Sequence, residues 1–165
     1  MKLKIKEAKN ESDSIYKIHL KTFTIRKYRI AEPKEEVQPD VAFKIAKQIY
    51  KNLDADQEHL TILFLDDALH INGFKVLFNG TMESALIDLR IIFRSSLLFG
   101  AEKIILIHNH PNNNLRPSEE DDYLTKKVAE AGELLNVRLI DHIIIGDSNE
   151  EYYSYRKKSN PNLRV

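Results

Sequence analysis

The sequence contains no cysteine. That absence excludes disulfides, thiolate zinc sites and cysteine nucleophiles together. It leaves His, Asp and Glu as the only strong metal ligands. There is no net charge either: 25 Lys and Arg balance 25 Asp and Glu, so no global basic excess points to nucleic acid. No apolar run approaches the roughly 20 residues that a membrane-spanning helix needs. The N-terminal M-K-L-K-I-K-E-A-K-N lacks the apolar core of a signal peptide. These absences predict a cytoplasmic chain with no membrane partner. No internal repeat is found. The 165 residues, 42% hydrophobic and 30% charged, suit one globular domain.

The most informative stretch is 103–121, K-I-I-L-I-H-N-H-P-N-N-N-L-R-P-S-E-E-D. Residues 104–107 have the length and β-branched richness of a buried strand. His108 and His110 follow at once, and residues i and i+2 of an extended chain point to the same side. Two imidazoles therefore leave one strand together. Pro111 and three asparagines make a turn. Ser118 is a good N-cap, with Asp121 in the first helical turn. Two histidines and a carboxylate form a plausible zinc set with a fourth position open to water. Each half also has a plainer reading, as polar surface histidines and as a capping box in which Asp121 binds backbone N–H groups.

The other elements frame this segment. Residues 39–53 form a helix, with Val41, Ile45, Ile49 and Leu53 recurring every four residues. Strands over 60–65 and 69–78, joined by a turn at Asp66 and Asp67, pair as a hairpin. A helix over 85–98 buries Leu86, Leu89, Ile92, Phe93 and Leu97, and Gly100 fits its C′ position. The helix over 118–135 buries Leu124, Val128, Ala131 and Leu135. Strands over 137–145 and 152–155 close the domain. The chain divides into a basic strand-containing extension (1–38), the main domain (39–158) and a frayed polar tail (159–165). A hairpin precedes the first crossover, so an α/β fold with a mixed β-sheet and helices on both faces is predicted.

The full pattern, H-x-H, seven residues, S, two residues, D, resembles the JAMM motif of the JAB/MPN metalloprotease superfamily. The wider context, H-N-H-P, P-S-x-x-D and D-H-I-I-I-G, resembles its RadC branch from about Asp40 onward. The resemblance implies a JAB/MPN (cytidine-deaminase-like) fold. It implies one Zn²⁺ per chain on His108, His110 and Asp121, and hydrolysis of peptide or isopeptide bonds in an unidentified peptide or protein substrate. It also implies a glutamate base from an earlier strand. Glu58, in E-x-L-x-I-L, is the first choice and Glu83, in N-G-T-M-E-S-A, the competitor. Ser118 gains a second role, donating a hydrogen bond to the reaction's oxyanion. His142 is either an outer partner of the site or a satisfied core histidine.

Two departures stand out. Members of the branch usually have H-P-S-G where this chain has H-P-N-N, and Pro-Arg-Glu where only Arg90 remains. An HNH nuclease is rejected, because those ligands are dispersed over a ββα unit. The alternative class is a DNA-associated accessory protein that binds through residues 1–30. That stretch holds nine Lys and Arg against three acidic residues, and it suits equally the charged edge of a small sheet. The sequence does not set the oligomeric state.

Overall fold

In a computed structural model, residues 37–79, 88–146 and 150–163 are described. The expectations for residues 1–36, for Glu83, and for the helix start at 85 with buried Leu86 lie outside them. The elements in chain order are α1 (Pro39–Tyr50), β1 (His59–Leu65), β2 (Ile71–Asn79), α2 (Leu89–Leu98), β3 (Lys103–His110), α3 (Glu119–Leu135), β4 (Arg138–Gly146) and β5 (Tyr152–Ser154). The strands form one sheet in the order β2-β1-β3-β4-β5. Only β3 and β4 run parallel, joined by the α3 crossover, while the other neighbours are antiparallel. This is the mixed α/β sheet that the hairpin-then-crossover order implies.

Strand alternation builds two cores from the central strands. Leu60, Ile62 and Phe64 of β1 and Ile104 and Leu106 of β3 face α2 and α3. Leu63, Leu65, Ile105 and Ile107 face α1. Burial on both faces explains why β1 and β3 read as continuous apolar runs rather than alternating ones. Each fully buried Leu or Ile contributes about 1.5–3 kcal/mol over its exposed state, so the strand that carries the histidines is anchored on both faces of the sheet.

The helices lie where the periodicity puts them, but their buried faces are turned. In α1 the buried residues are Pro39, Ala42, Phe43 and Ala46. The two alanines let the helix axis approach the sheet, and Val41, Ile45 and Ile49 flank the contact half-exposed. The helix stops at Tyr50 rather than at Leu53. In α2 the serines Ser95 and Ser96 are buried, whereas Leu97 is 57% exposed. Ser96 Oγ donates to the Ile92 carbonyl and Lys75 Nζ donates to Ser95 Oγ, so neither hydroxyl is orphaned. In α3 burial ends at Gly132, and Leu135 is exposed. Counting apolar residues cannot tell which of two adjacent stripes a sheet will cover. The tail also departs from expectation, since Leu163 packs into the α2/α3 core.

Gly132 shows how closely the main chain packs. A Cβ there would lie 2.4 Å from the Val137 carbonyl oxygen. Asn136, at φ 54°, turns the chain back over the helix end, and Val137 N–H donates to Gly132 O. In an open helix Gly→Ala gains about 1 kcal/mol. Here Gly132→Ala is expected to destabilise instead, by about 1–3 kcal/mol for overpacking. Chemical denaturation of the variant reads the sign directly.

Candidate metal centre

Strand β3 runs past the predicted end at residue 107 and includes both histidines. Alternation sends His108 and His110 to the α3 face, behind Ile104 and Leu106. The first turn of α3 then supplies Asp121. Histidine Nε2 atoms and carboxylate oxygens lie within 4.8 Å of one another across His108, His110 and Asp121. His108 Nε2 is 3.1 Å from Asp121 Oδ1, and His110 Nε2 is 3.4 Å from Oδ2. His108 and Asp121 are almost fully buried, while His110 lies at the mouth with its side chain 12% exposed.

The capping reading of the Ser118 segment holds, and it leaves room for Asp121 to serve as a ligand. Ser118 caps α3: its Oγ accepts from Asp121 N–H at 3.1 Å, and Asp121 Oδ2 accepts from Ser118 N–H at 2.8 Å. The Ser118 hydroxyl also donates to Oδ2 at 2.7 Å. Asp121 Oδ1 is left facing His108. The capping box therefore orients the carboxylate, and the helix N-terminus favours its negative charge.

The hydrogen bonds also fix which imidazole nitrogen carries a proton. Thr125 Oγ1 donates its single proton to the Asp121 carbonyl at 2.7 Å. It must then accept from His142 Nδ1–H, 2.6 Å away. A neutral His142 consequently has a bare Nε2, which accepts from His108 Nδ1–H at 2.8 Å. His108 Nε2 is left with a lone pair aimed at Asp121. His110 reaches the same state by another route: its Nδ1–H donates to the Asn114 carbonyl at 2.5 Å, which bares Nε2. The two bare Nε2 atoms lie 2.8 Å apart. Two lone pairs at that distance repel unless a shared proton or a metal cation lies between them. Two imidazole nitrogens and one oriented carboxylate are a donor set that fits a divalent metal ion.

The electrostatics describe the metal-free site, in which protons on the two Nε2 atoms face Asp121. Burial, followed by the neighbouring His108 charge, pushes His142 well below the usual imidazole range, so it stays neutral. Its ring stacks on Tyr155 at 5.1 Å. Burial would raise Asp121, but hydrogen bonds that His108 and His110 donate when their Nε2 atoms carry protons hold it far below the usual carboxylate range. Burial lowers His110, and this is outweighed by Asp121, by the Asn114 carbonyl and by the charge of Glu58, so its pKa is raised.

The charge of Glu58 acts on His110. The β1–β3 ladder ends with Leu60 paired to His108 in antiparallel register, and the same register continued by two residues would set Glu58 opposite His110. Asp141, next to His142, is a structural anchor. It accepts from His142 N–H, Arg156 N–H and Ser154 Oγ–H, tying β4 to β5.

Sequence reasoning missed Thr125. The available signal was its position one helical turn after Asp121, where i and i+4 share a face. Thr125→Val removes the acceptor that sets His142, which frees His142 and then His108 to take the opposite tautomer. Metal affinity is expected to fall about 10–100-fold, as for loss of other outer partners of metal-bound histidines. Competition against a chelator measures this, and unchanged affinity contradicts the tautomer assignment.

A mixed sheet that carries a His-x-His pair at the end of β3 and an aspartate at the start of α3 defines a JAB/MPN-type domain. The family described as RadC-like JAB domain matches residues 37–160, and this chain belongs to it. Similar proteins include a "UPF0758 protein" of Streptococcus gordonii, 38% identical over 117 residues, which is 70% of this chain and 51% of that protein. Those of Chlorobaculum parvum (38% identical; 64% of this chain and 47% of that protein) and Enterococcus faecalis (34%; 70% and 50%) are comparable. The chain thus spans about half the length of these relatives. Among the described residues no helix is long and apolar enough to cross a membrane.

Proposed function

We propose that the protein is a zinc-dependent hydrolase that cleaves peptide or isopeptide bonds. The observation that carries this reading is the convergence of two bare Nε2 atoms and an oriented carboxylate beside the strand that leads from Glu58. His108, His110 and Asp121 would hold the ion, one per chain. Bound there, zinc supplies Lewis acidity, which acidifies water and polarises a substrate carbonyl. Glu58 takes the proton of the attacking water and passes it to the leaving amine. Asp121 stays ionised throughout, held by Ser118 and the two imidazoles. His142 remains neutral and keeps His108 in one tautomer. Ser118 is exposed at the helix start; its hydroxyl, which rests on Asp121, would turn toward the oxyanion of the tetrahedral intermediate. Amide substrates are preferred on the family resemblance.

The test is a screen of zinc-loaded protein against peptide- and isopeptide-linked fluorogenic substrates. Cleavage that is lost on chelation and restored by zinc supports the proposal. A protein that holds stoichiometric zinc and cleaves neither class contradicts it.

A further inference from the structure

Asn109 lies between the two histidines in sequence and on the opposite face of β3, in the α1 side of the sheet. It is buried, with 4% of its surface exposed. Its carboxamide grips the neighbouring strand at two points: Oδ1 accepts from His59 N–H at 2.7 Å, and Nδ2 donates to the Gln57 carbonyl at 2.9 Å. These two groups belong to the two peptide units that flank the Glu58 Cα. We propose that Asn109 is a positioning residue, which sets the Glu58 carboxylate against the metal ligands on the adjacent strand. This rests on the reading of Glu58 as the proton acceptor.

Peptide units are planar, so a residue's side-chain direction is set by the two planes that meet at its Cα. One carboxamide holds both planes here, which fixes φ and ψ of Glu58 together. The backbone ladder between β1 and β3 reaches only to Leu60 and His108, and the Asn109 side chain continues it by one step. The next peptide unit along β1 is fixed as well. Tyr50 Oη shares its one proton between the His59 carbonyl at 2.9 Å and the Ile107 carbonyl at 2.8 Å, and the His59 ring lies 2.6 Å from the Asp54 carbonyl through Nε2. Glu58 is therefore registered to a strand whose next residues on either side of Asn109 are the metal ligands. An asparagine suits this position because it carries one donor and one acceptor at the spacing of a peptide group. Because its Cβ points away from the α3 face, the grip leaves the metal site uncrowded.

The test uses Co²⁺ in place of zinc and reads its visible d–d spectrum, which responds to groups around the ion without requiring a substrate. Four proteins are compared with wild type: Glu58→Gln, Asn109→Ala, the isosteric Asn109→Asp, and the Glu58→Gln, Asn109→Ala double variant. Asn109→Asp keeps the acceptor for His59 but loses the donor to Gln57, and it leaves no cavity. The Asn109 variants are expected to bind one Co²⁺ per chain and to shift the spectrum in the same direction as Glu58→Gln. The double variant is expected to match Glu58→Gln alone, because the two residues act through one group. A wild-type spectrum in both Asn109 variants, beside a shifted Glu58→Gln spectrum, overturns the positioning role and leaves the base intact. An unshifted Glu58→Gln spectrum removes Glu58 from the ion's surroundings and overturns both. Failure of the wild type to bind Co²⁺ also overturns both, by removing the metal centre.

Discussion

Glu58→Gln is expected to lower amide hydrolysis by about 10²–10⁴-fold, the usual worth of a positioned general base. Metal content and thermal stability should stay at wild-type levels. Glutamine keeps the shape of the side chain and removes its capacity to take a proton. Two features favour this residue: the β1–β3 register, which would set it opposite His110 if continued two residues past Leu60 and His108, and its charge, which acts on His110. The loss should appear in kcat rather than in KM, because proton transfer belongs to the transition state. Full activity in Glu58→Gln, with the loss appearing in Glu83→Gln instead, would move the base to Glu83.

The second large effect concerns the ligands. A His108→Ala, His110→Ala double variant is expected to lose stoichiometric zinc altogether, because one carboxylate remains of three protein ligands. His110 sits at the mouth and its removal disturbs little. His108 is fully buried, so its loss also opens a cavity and lowers stability. His110→Ala alone separates the two effects: zinc affinity falls sharply while the fold is kept. The same ligands set the pH dependence. His110 must be neutral to bind metal, and its pKa lies above the ordinary value of about 6.5. Zinc affinity should therefore weaken as pH falls through that raised value.

In the metal-free protein the linkage has two signs. The raised pKa of His110 gives a stabilising contribution that is fully present below about 6.5 and is lost as pH rises through the folded value. The depressed pKa of Asp121 gives one that is present above about 3.9 and is lost as pH falls toward its folded value. The depressed pKa of His142 opposes His110, since its contribution is present above about 6.5 and is lost as pH falls toward its folded value; added zinc, which needs His110 neutral, should move the optimum upward. Thermal melts across pH, with and without zinc, measure both.

The candidate metal centre is legible in the sequence because its parts are contiguous: strand, histidine pair, turn and cap all lie within 103–121. A period-2 pattern and a capping box are local signals, and both carry over directly into β3 and α3. The relay from Thr125 through His142 to His108 was not legible as a whole, since it joins residues 17 and 34 positions apart and depends on how α3 lies over β4. Asn109 was hidden for a different reason. It stands between the two ligands, and its partners lie 50 and 52 residues upstream. The helix faces failed at Leu97 and Leu135 because Ser95, Ser96 and Gly132, the residues that pack closest, contribute nothing to an apolar count.

X-ray absorption at the zinc edge of the wild-type protein, purified without a metal-affinity tag and loaded with one equivalent of Zn²⁺, tests the central claim most directly. The account expects two imidazole nitrogens at about 2.0–2.1 Å and a remainder of oxygen donors at about 2.0–2.2 Å. A shell of oxygen donors alone, or protein that retains no zinc after desalting, would contradict it.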